Sequence, residues 1–229
     1  MSSQAETGAG PVTERVRVRR HPERGRYERE AVDAILDEAL YCHLGFVVDG
    51  QPYVIPTIHA RVGDDVYVHG AAASRMLRQV AEGVPVCLTA TLLDGVVLAR
   101  SVFSHSMNYR SVVVLGLAVD VTDLDEKLAA LRAVVEHVVP GRWREARHPT
   151  PAELDATRVL RLPLTEASAK IRSGPPKDAA ADLTLPVWAG ELPLTLRAGR
   201  PAAAPGLRPE VAVPGYLQGY DPHERRRAD

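Results

Sequence analysis

Two β-rich segments of this chain are apolar on both faces. Residues 84–93 are VPVCLTATLL and residues 110–119 are RSVVVLGLAV, and the two segments carry a single charged residue between them. Strands of this kind cannot lie in a sheet that has one side in water. They require a closed barrel, a covering helix or a subunit interface, and a small barrel that dimerises meets this requirement.

Other short segments have the spacing of an antiparallel sheet. Residues 43–49, 52–62 and 65–70 are rich in β-branched and aromatic residues, with turn-forming residues between them. Asp94-Gly95 is the strongest short hairpin signal in the chain and predicts a turn between two strands at that point. Residues 157–172 alternate as a strand does. Together these segments predict at least six strands.

Apolar residues at helical spacing predict two helices. The apolar face of the first consists of Val32, Ile35, Leu36, Ala39 and Leu40. The second begins after Asp123 as N-cap and ends at Pro140-Gly141. Its predicted apolar stripe is Leu124, Leu128, Leu131 and Val135. A short capped turn is predicted after Thr150, where Pro151 and Glu153 follow at the first and third positions.

The charge balance gives no broad attraction to nucleic acid or to an anionic membrane. The chain has 28 basic and 29 acidic residues and a formal net charge of −1. We therefore predict no nucleic-acid or membrane partner, and any anion site must be local. Cys42 and Cys87 lie in apolar contexts typical of buried free thiols. With no signal peptide or membrane span in the sequence, these features predict a cytoplasmic protein.

Composition divides the chain into three parts. Residues 1–25 include five of the six arginines from Arg15 to Arg26 and are predicted to form a flexible basic arm. Residues 26–172 contain the predicted strands and helices. Residues 173–229 are rich in proline, glycine and alanine, and we expect this extension to dock partly around Trp188.

The stretch VYVHGAAASR, residues 66–75, passes from a strand through small residues into a helix. Unpaired N–H groups at the helix start, beside the Ser74 hydroxyl and the Arg75 guanidinium, suit a phosphate. The alternative is that Ser74 only caps the helix and that Arg75 is solvated. The residues of this stretch leave both interpretations open.

The order of these segments resembles the split β-barrel flavoproteins related to pyridoxamine 5′-phosphate oxidase, and among them the flavin-nucleotide-binding or nitroimidazole-resistance proteins. The resemblance covers about residues 19–194 and rests on RRHPERGRYERE, AILDEALYCHLGFVVDGQPYVIPT, YVHGAAASRMLR, LARSVFSHSMNYRSVVVLG, EASAKIRSGPP and LPVWAGELPL. It implies a mainly β fold with flanking helices, an antiparallel FMN-binding split β-barrel. It also implies a homodimer with two FMN sites at the subunit interface.

The resemblance implies which residues bind FMN. One strand would offer backbone groups to the flavin ring, at Val54, Ile55, Pro56 and Thr57. His69 and Gly70 would lie near the ribityl chain or the ring. Ser74 and Arg75 match the positions that bind the phosphate, although the sister oxidases usually have lysine where this chain has Met76.

A second group of residues would border the flavin across the dimer: Asn108, Tyr109, Arg110 and Ser111. From the residues alone, the stretch around Asn108 is equally consistent with a turn in which Arg110 is solvated. Lys170 and Arg172 would complete the phosphate site, although such a pair is more often a solvated strand face.

The resemblance implies an FMN-dependent oxidoreductase that transfers hydride or electrons between a nicotinamide cofactor and a small organic acceptor. The C-terminal VWAGELPLTLRAGRPAAAPG lacks the arginine and tryptophan signature of true pyridoxamine-phosphate oxidases, so that reaction is not predicted. The alternative is a non-catalytic protein that binds flavin or haem. The spacing of His59, His69 and His105 matches no structural metal site. No catalytic residue is predicted.

Overall fold

The computed structural model describes residues 12–223, apart from the side chains of Arg75 and Met76. The strands are β1 (Gly25–Arg26), β2 (Cys42–Val48), β3 (Gln51–Thr57), β4 (His59–Val62), β5 (Asp65–Ala71), β6 (Pro85–Leu98), β7 (Ser106–Leu117), β8 (Val119–Asp120), β9 (Thr157–Pro163), β10 (Ala167–Arg172) and β11 (Gly190–Pro193). The helices are α1 (Arg29–Glu38), α2 (Arg75–Ala81), α3 (Leu124–Val138), α4 (Arg142–Glu145) and α5 (Pro151–Asp155).

The strands form two antiparallel sheets. The larger sheet has the order β1-β10-β7-β6-β2-β3, and β11 pairs with the part of β6 that extends beyond β2. The smaller sheet has the order β4-β5-β9-β8. The chain passes between the sheets through the single residues Ile58 and Ala118, so both sheets enclose one core. The predicted split β-barrel class is confirmed.

The core lies between the two sheets and is closed by α1 and α2. Leu36 of α1 and Leu77 of α2 are fully buried against strand residues such as Leu88 and Leu160. The predicted apolar face of α1 is confirmed for Val32, Ile35, Leu36 and Ala39, which are all buried, whereas Leu40 lies beyond the end of the helix and is half-buried. Cys42 and Cys87 are free cysteines, as predicted, and burial raises the pKa of Cys42 to about 12.

The hairpin predicted at Asp94-Gly95 is wrong. Strand β6 continues through both residues, and its register against β7 shifts between Leu93 and Gly95 as in a β-bulge. A Cβ atom at Gly95 would lie 2.9 Å from the Leu192 carbonyl oxygen of β11. Glycine is therefore needed here for the close approach of another backbone rather than for a turn.

The apolar stripe predicted for α3 is also wrong, although its N-cap is confirmed. The Asp123 carboxylate accepts a hydrogen bond from Glu126 N at 2.8 Å. The buried residues of α3 are Ala130, Val134 and His137, whereas Leu124 is 54% exposed. The helix packs over the outer face of the smaller sheet, where the small Ala130 side chain lies in a cluster with Tyr67 and Val159.

The segments on either side of residues 26–172 contact the barrel. Near the N-terminus, the Thr13 hydroxyl donates to Glu166 at 2.7 Å. In the extension, Arg100 forms an ion pair with Asp178 at 2.7 Å, and β11 adds to the larger sheet, while Trp188 remains 66% exposed. The domain limits stay a prediction, and residues 1–11 of the proposed flexible arm lie outside the described residues. Within residues 12–223, no helix combines the length and the apolarity that crossing a membrane requires.

Candidate functional site

The barrel opens where β3 and β5 diverge. Strand β4 pairs with β5 only as far as His59 and Val68, while β5 continues to Ala71 alongside β9. On the other side of Ile58, β3 is the last strand of the larger sheet. Neither edge has a strand partner at this point within residues 12–223. We call the region between these two free edges the split; Val54–Thr57 belong to the β3 edge and His69–Ala71 to the β5 edge.

The β2–β3 hairpin determines which backbone groups of β3 face the split. Asp49 and Gly50 both have positive φ, 52° and 77°, as a two-residue type I′ turn requires. The residues that close such a turn, Val48 and Gln51, exchange hydrogen bonds, so odd-numbered residues of β3 direct their backbone toward β2. The backbone groups of Pro52, Val54 and Pro56 therefore point outward, away from β2. Since proline has no N–H, Val54 supplies the one outward donor from residues 52 to 56, beside three carbonyl acceptors.

This geometry separates the four predicted ring-edge residues into two kinds. Val54 and Pro56 have outward backbone groups, and Val54 is 67% exposed. Ile55 and Thr57 direct their backbone toward β2, and the Ile55 side chain packs against the core.

The opposite side of the split includes His69, one of the residues predicted to lie near the flavin. Its Nδ1 is buried and has no hydrogen-bond partner among the described residues. Burial lowers the pKa of His69, so the imidazole is held neutral at physiological pH. Next to it, a Cβ atom at Gly70 would lie 2.9 Å from Leu77 Cδ1, which explains the small residue at this position.

Ser74 occupies the N-cap position of α2 but its side chain caps nothing. The Ser74 hydroxyl makes no hydrogen bond to the helix, whereas Thr150 forms a complete capping box with Glu153 in α5. A simple cap therefore does not account for the hydroxyl. The backbone of Arg75 begins α2, and its side chain lies outside the described part of the chain.

The second group of predicted residues lies on two paired strands, β7 and β10. Tyr109 is opposite Arg172, and Ser111 is opposite Lys170. Val54 is at the level of Leu115 in the sheet, six residues further along β7 than Tyr109. At about 3.4 Å per residue this is a separation of roughly 20 Å along the strand, without counting the strands between them. Val54 and Tyr109 are therefore far apart in one protomer, whereas Pro56 is at the level of Val113, two residues from Ser111, with β2 and β6 between them.

Arg110 is fully engaged in ion pairs. Its guanidinium donates to Asp94 through Nε and, at 2.7 Å, through Nη2. It also donates to both carboxylate oxygens of Glu38 at the end of α1. These bonds raise the pKa of Arg110 and lower the pKa of Glu38. His223 of the C-terminal extension donates to the same Glu38 at 2.8 Å.

Asn108 and Arg172 form a buried polar link to the extension. The Arg172 guanidinium donates to Asn108 Oδ1 and to the Gly174 carbonyl, the latter at 2.9 Å. Asn108 donates to Glu191 of β11 at 2.6 Å. Ser111 donates to the Lys170 carbonyl at 3.3 Å. In the described chain these side chains therefore connect β7, β10 and β11.

Tyr109, Lys170 and Arg172 also border a cavity of about 500 Å³. Sequence analysis missed its other basic residues, Arg20, Arg24 and Lys177. The arginine run at 15–26 was the one available signal, and the interpretation as a solvated arm overlooked it.

Comparison with known proteins identifies the family to which this fold is related. The family model described as pyridoxamine 5′-phosphate oxidase matches residues 28–171. No curated protein matches the chain.

Among solved structures, the flavocytochrome Anf3 from Azotobacter vinelandii is 38% identical, with a TM-score of 0.86 over 91% of this chain and 98% of that one. The FAD and haem binding protein from Mycobacterium smegmatis is 37% identical, with a TM-score of 0.83 over 86% and 97%. A putative 5-nitroimidazole antibiotic resistance protein from Bacteroides thetaiotaomicron shares the fold at 22% identity and a TM-score of 0.53, over 64% of this chain and 86% of that one.

The first two matches extend beyond the barrel, because residues 26–172 are less than two thirds of the chain. The similarity therefore includes segments that flank the barrel. With its split barrel and the family match over residues 28–171, the chain belongs to the pyridoxamine 5′-phosphate oxidase family.

Proposed function

We propose that this protein binds a flavin in the split and acts in redox chemistry. The observation that carries the proposal is the pair of relatives that are 38% and 37% identical over most of both chains, one a flavocytochrome and the other an FAD and haem binding protein. The split supports it, since the β3 edge offers one N–H and three carbonyls in a row to a planar heterocycle. Following the resemblance, we propose FMN as the flavin.

When bound, a flavin supplies hydride or single-electron transfer. The chain's own residues would bind and orient it. The outward backbone of Val54 and Pro56 would pair with the polar edge of the ring, as a neighbouring strand would. The Ser74 hydroxyl, which caps no helix, and the Arg75 side chain would bind the phosphate. Nicotinamide-dependent reduction of a small organic acceptor is the activity we propose.

The central test is the spectrum of the purified protein. We expect flavin absorbance, with FMN released by acid and identified by chromatography. Reduction by NADH or NADPH without air, followed by reoxidation with a quinone or nitro compound, would distinguish an oxidoreductase from a protein that only binds flavin. A colourless protein that takes up no added flavin would overturn the proposal.

The phosphate site has its own test in Arg75→Ala. Loss of a charge-assisted contact should weaken FMN binding by about ten- to a hundredfold, from roughly 1.5–3 kcal/mol. Riboflavin has no phosphate and should bind both proteins alike. Arg78→Ala, one turn further along α2 at an exposed position, is the matched control and should leave FMN binding unchanged.

Haem binding is the second function we propose, because both close relatives are haem proteins by description. Neutral imidazole is the usual axial ligand. His69 fits this role, since its pKa is lowered by burial and Nδ1 has no hydrogen-bond partner within residues 12–223.

His69→Ala should remove a haem Soret band while flavin fluorescence after release persists. The control is His105→Ala, whose ring is exposed and hydrogen-bonds to the Ser101 carbonyl at 3.0 Å. Loss of flavin alone in His69→Ala would assign His69 to the flavin instead.

A homodimer would bring the two predicted groups of flavin residues together. Val54 of one group and Tyr109 of the other are far apart in one protomer, and the resemblance implies that both groups border one flavin. Val47 and Val54, on the exposed β2–β3 edge, are apolar side chains that a partner would cover. We expect a dimer in sedimentation equilibrium at micromolar concentration. A monomer with flavin bound would contradict the proposal.

A further inference from the structure

The cavity beside β7 and β10 is lined by an excess of basic side chains, of which His21 and Arg24 pair with Glu23 at 3.2 and 3.8 Å. Arg20, Arg24, Lys170, Arg172 and Lys177 line it together with two histidines, and its lining includes no aspartate or glutamate. At about 500 Å³ it has the size of a small-molecule site. The whole chain has a net charge of −1, so this concentration of positive charge is local.

Arg172 is the buried member of this cavity, at 7% exposure. Its guanidinium donates to Asn108, to the Gly174 carbonyl and, at 3.2 Å, to the Pro175 carbonyl, all of which are neutral. Within residues 12–223 it has no carboxylate within ion-pair distance. Burying a cation without a counter-charge is costly. Burial and the nearby Arg24 lower the pKa of Arg172, and the opposing effect of Glu191, which lies beyond ion-pair distance, does not offset them.

Other partly buried arginines of this chain form ion pairs with carboxylates. Arg61 pairs with Asp37 at 2.7 Å, and Arg100 pairs with Asp178 at the same distance. Lys170, Lys177 and Arg20, in contrast, form no ion pair within the described chain. Repulsion between these cations is relieved if the cavity holds an anion.

An exposed aromatic ring lies at the edge of the cavity. Phe103, in the turn between β6 and β7, is 93% exposed although it is fully apolar. Tyr109 lines the same cavity. Flat heterocycles such as nucleobases stack on exposed rings of this kind.

We propose that this cavity binds a nucleoside diphosphate group, with the phosphates among Arg24, Lys170 and Lys177 and the base against Phe103. Tyr109, Lys170 and Arg172 of this cavity are also residues that the resemblance places beside the flavin of a dimer, so the cavity and the split would be neighbours in that arrangement. The inference does not require that a flavin is bound. The same group could belong to a diffusing dinucleotide or to the ADP half of an FAD, and the experiment separates these sources.

The test is calorimetric titration of the protein with ADP and with inorganic pyrophosphate at low salt, both as purified and after removal of bound flavin. We expect both probes to bind, and more weakly as salt rises. Binding of ADP to both preparations assigns a diffusing nucleotide. Binding only after flavin removal assigns the ADP half of a bound FAD.

Two variants at exposed positions identify the site without threatening the fold. The double variant Arg20→Gln, Lys177→Gln should weaken both probes about tenfold. Phe103→Ala should weaken ADP about fivefold or more and leave pyrophosphate unchanged. The control Arg197→Gln, Arg200→Gln removes the same charge from exposed positions of the extension that do not line the cavity.

Failure of ADP and pyrophosphate to bind either preparation would overturn the inference. So would equal binding by the double variant and the wild type. A protein that contains no flavin but binds ADP would overturn the flavin proposal alone, so the two failures are distinguishable.

Discussion

Replacing Arg110 by alanine should destabilise the fold through two carboxylates that lose their shared cation. Arg110 joins Glu38 at the end of α1 to Asp94 at the bulge of β6, and all three side chains are between one fifth and one third exposed. Fully exposed pairs contribute up to about 1 kcal/mol, and breaking a fully buried pair costs about 3–5 kcal/mol. For this intermediate burial we expect Arg110→Ala to lower the free energy of unfolding by about 2–3 kcal/mol at pH 7.

The effect should depend on pH in a known direction. Hydrogen bonds from Arg110 are the main cause that lowers the pKa of Glu38 below 4.5, with a smaller contribution from His223. A carboxylate whose folded-state pKa is lowered stabilises the fold above its unfolded pKa and loses this contribution as pH falls through the folded value. The difference between wild type and Arg110→Ala should therefore be full at pH 7 and shrink below about pH 4.5.

Urea unfolding at pH 7 and at pH 4, with the slopes compared, measures both quantities. Arg147→Ala is the matched control, since its pair with Glu153 at 2.7 Å is solvent-exposed and should contribute little. Equal losses for the two variants at pH 7, or a loss in Arg110→Ala that is the same at both pH values, would refute this reasoning. Flavin affinity of the folded variant, measured alongside, tests the cofactor role that the resemblance gives Arg110.

Three further substitutions test single contacts. Thr150→Ala removes the α5 capping box and should cost about 1 kcal/mol in urea unfolding; an unchanged midpoint would show that the box contributes nothing. His59→Phe leaves the Leu36 carbonyl without the ring N–H that donates to it at 2.9 Å, and should cost roughly 1–3 kcal/mol in the same assay. Gly95→Ala places a Cβ against the Leu192 carbonyl and should loosen β11, seen as faster amide exchange in residues 190–193 while β2 is unaffected.

The sequence predicted those elements whose cause is local. The α1 face follows from the spacing of apolar residues, and the turn at Asp49-Gly50 follows from the positive φ that this pair tolerates. Asp94-Gly95 has the same chemistry but lies inside β6. There, β7 pairs along one edge and β11 along the other, so tertiary pairing overrides the local turn preference.

The flavin residues, which stay a prediction, could be named from the sequence for a similar reason. Each of their groups, such as the strand at 54–57 or the stretch at 69–75, is continuous in the sequence, so family resemblance could identify it. The cavity could not be predicted from the sequence in this way. Its basic residues come from the N-terminal segment, from β10 and from the extension, and only folding brings these three parts together.

The pairing of charges, rather than their number, distinguishes the cavity from the rest of the surface. Nearly equal numbers of acids and bases give this chain no net field, and most of its partly buried arginines have a carboxylate partner: Arg29, Arg61, Arg100, Arg110 and Arg158. The same supply of acids could have neutralised Arg172, yet the carboxylate of Glu191 accepts from Asn108 instead. A fold that pairs most of its partly buried arginines and leaves Arg172 buried without an ion pair, beside four further cations, loses stability there unless an anion binds. A diphosphate bound in the cavity would remove this unfavourable energy at Arg172. The energy recovered would add to the affinity for the diphosphate.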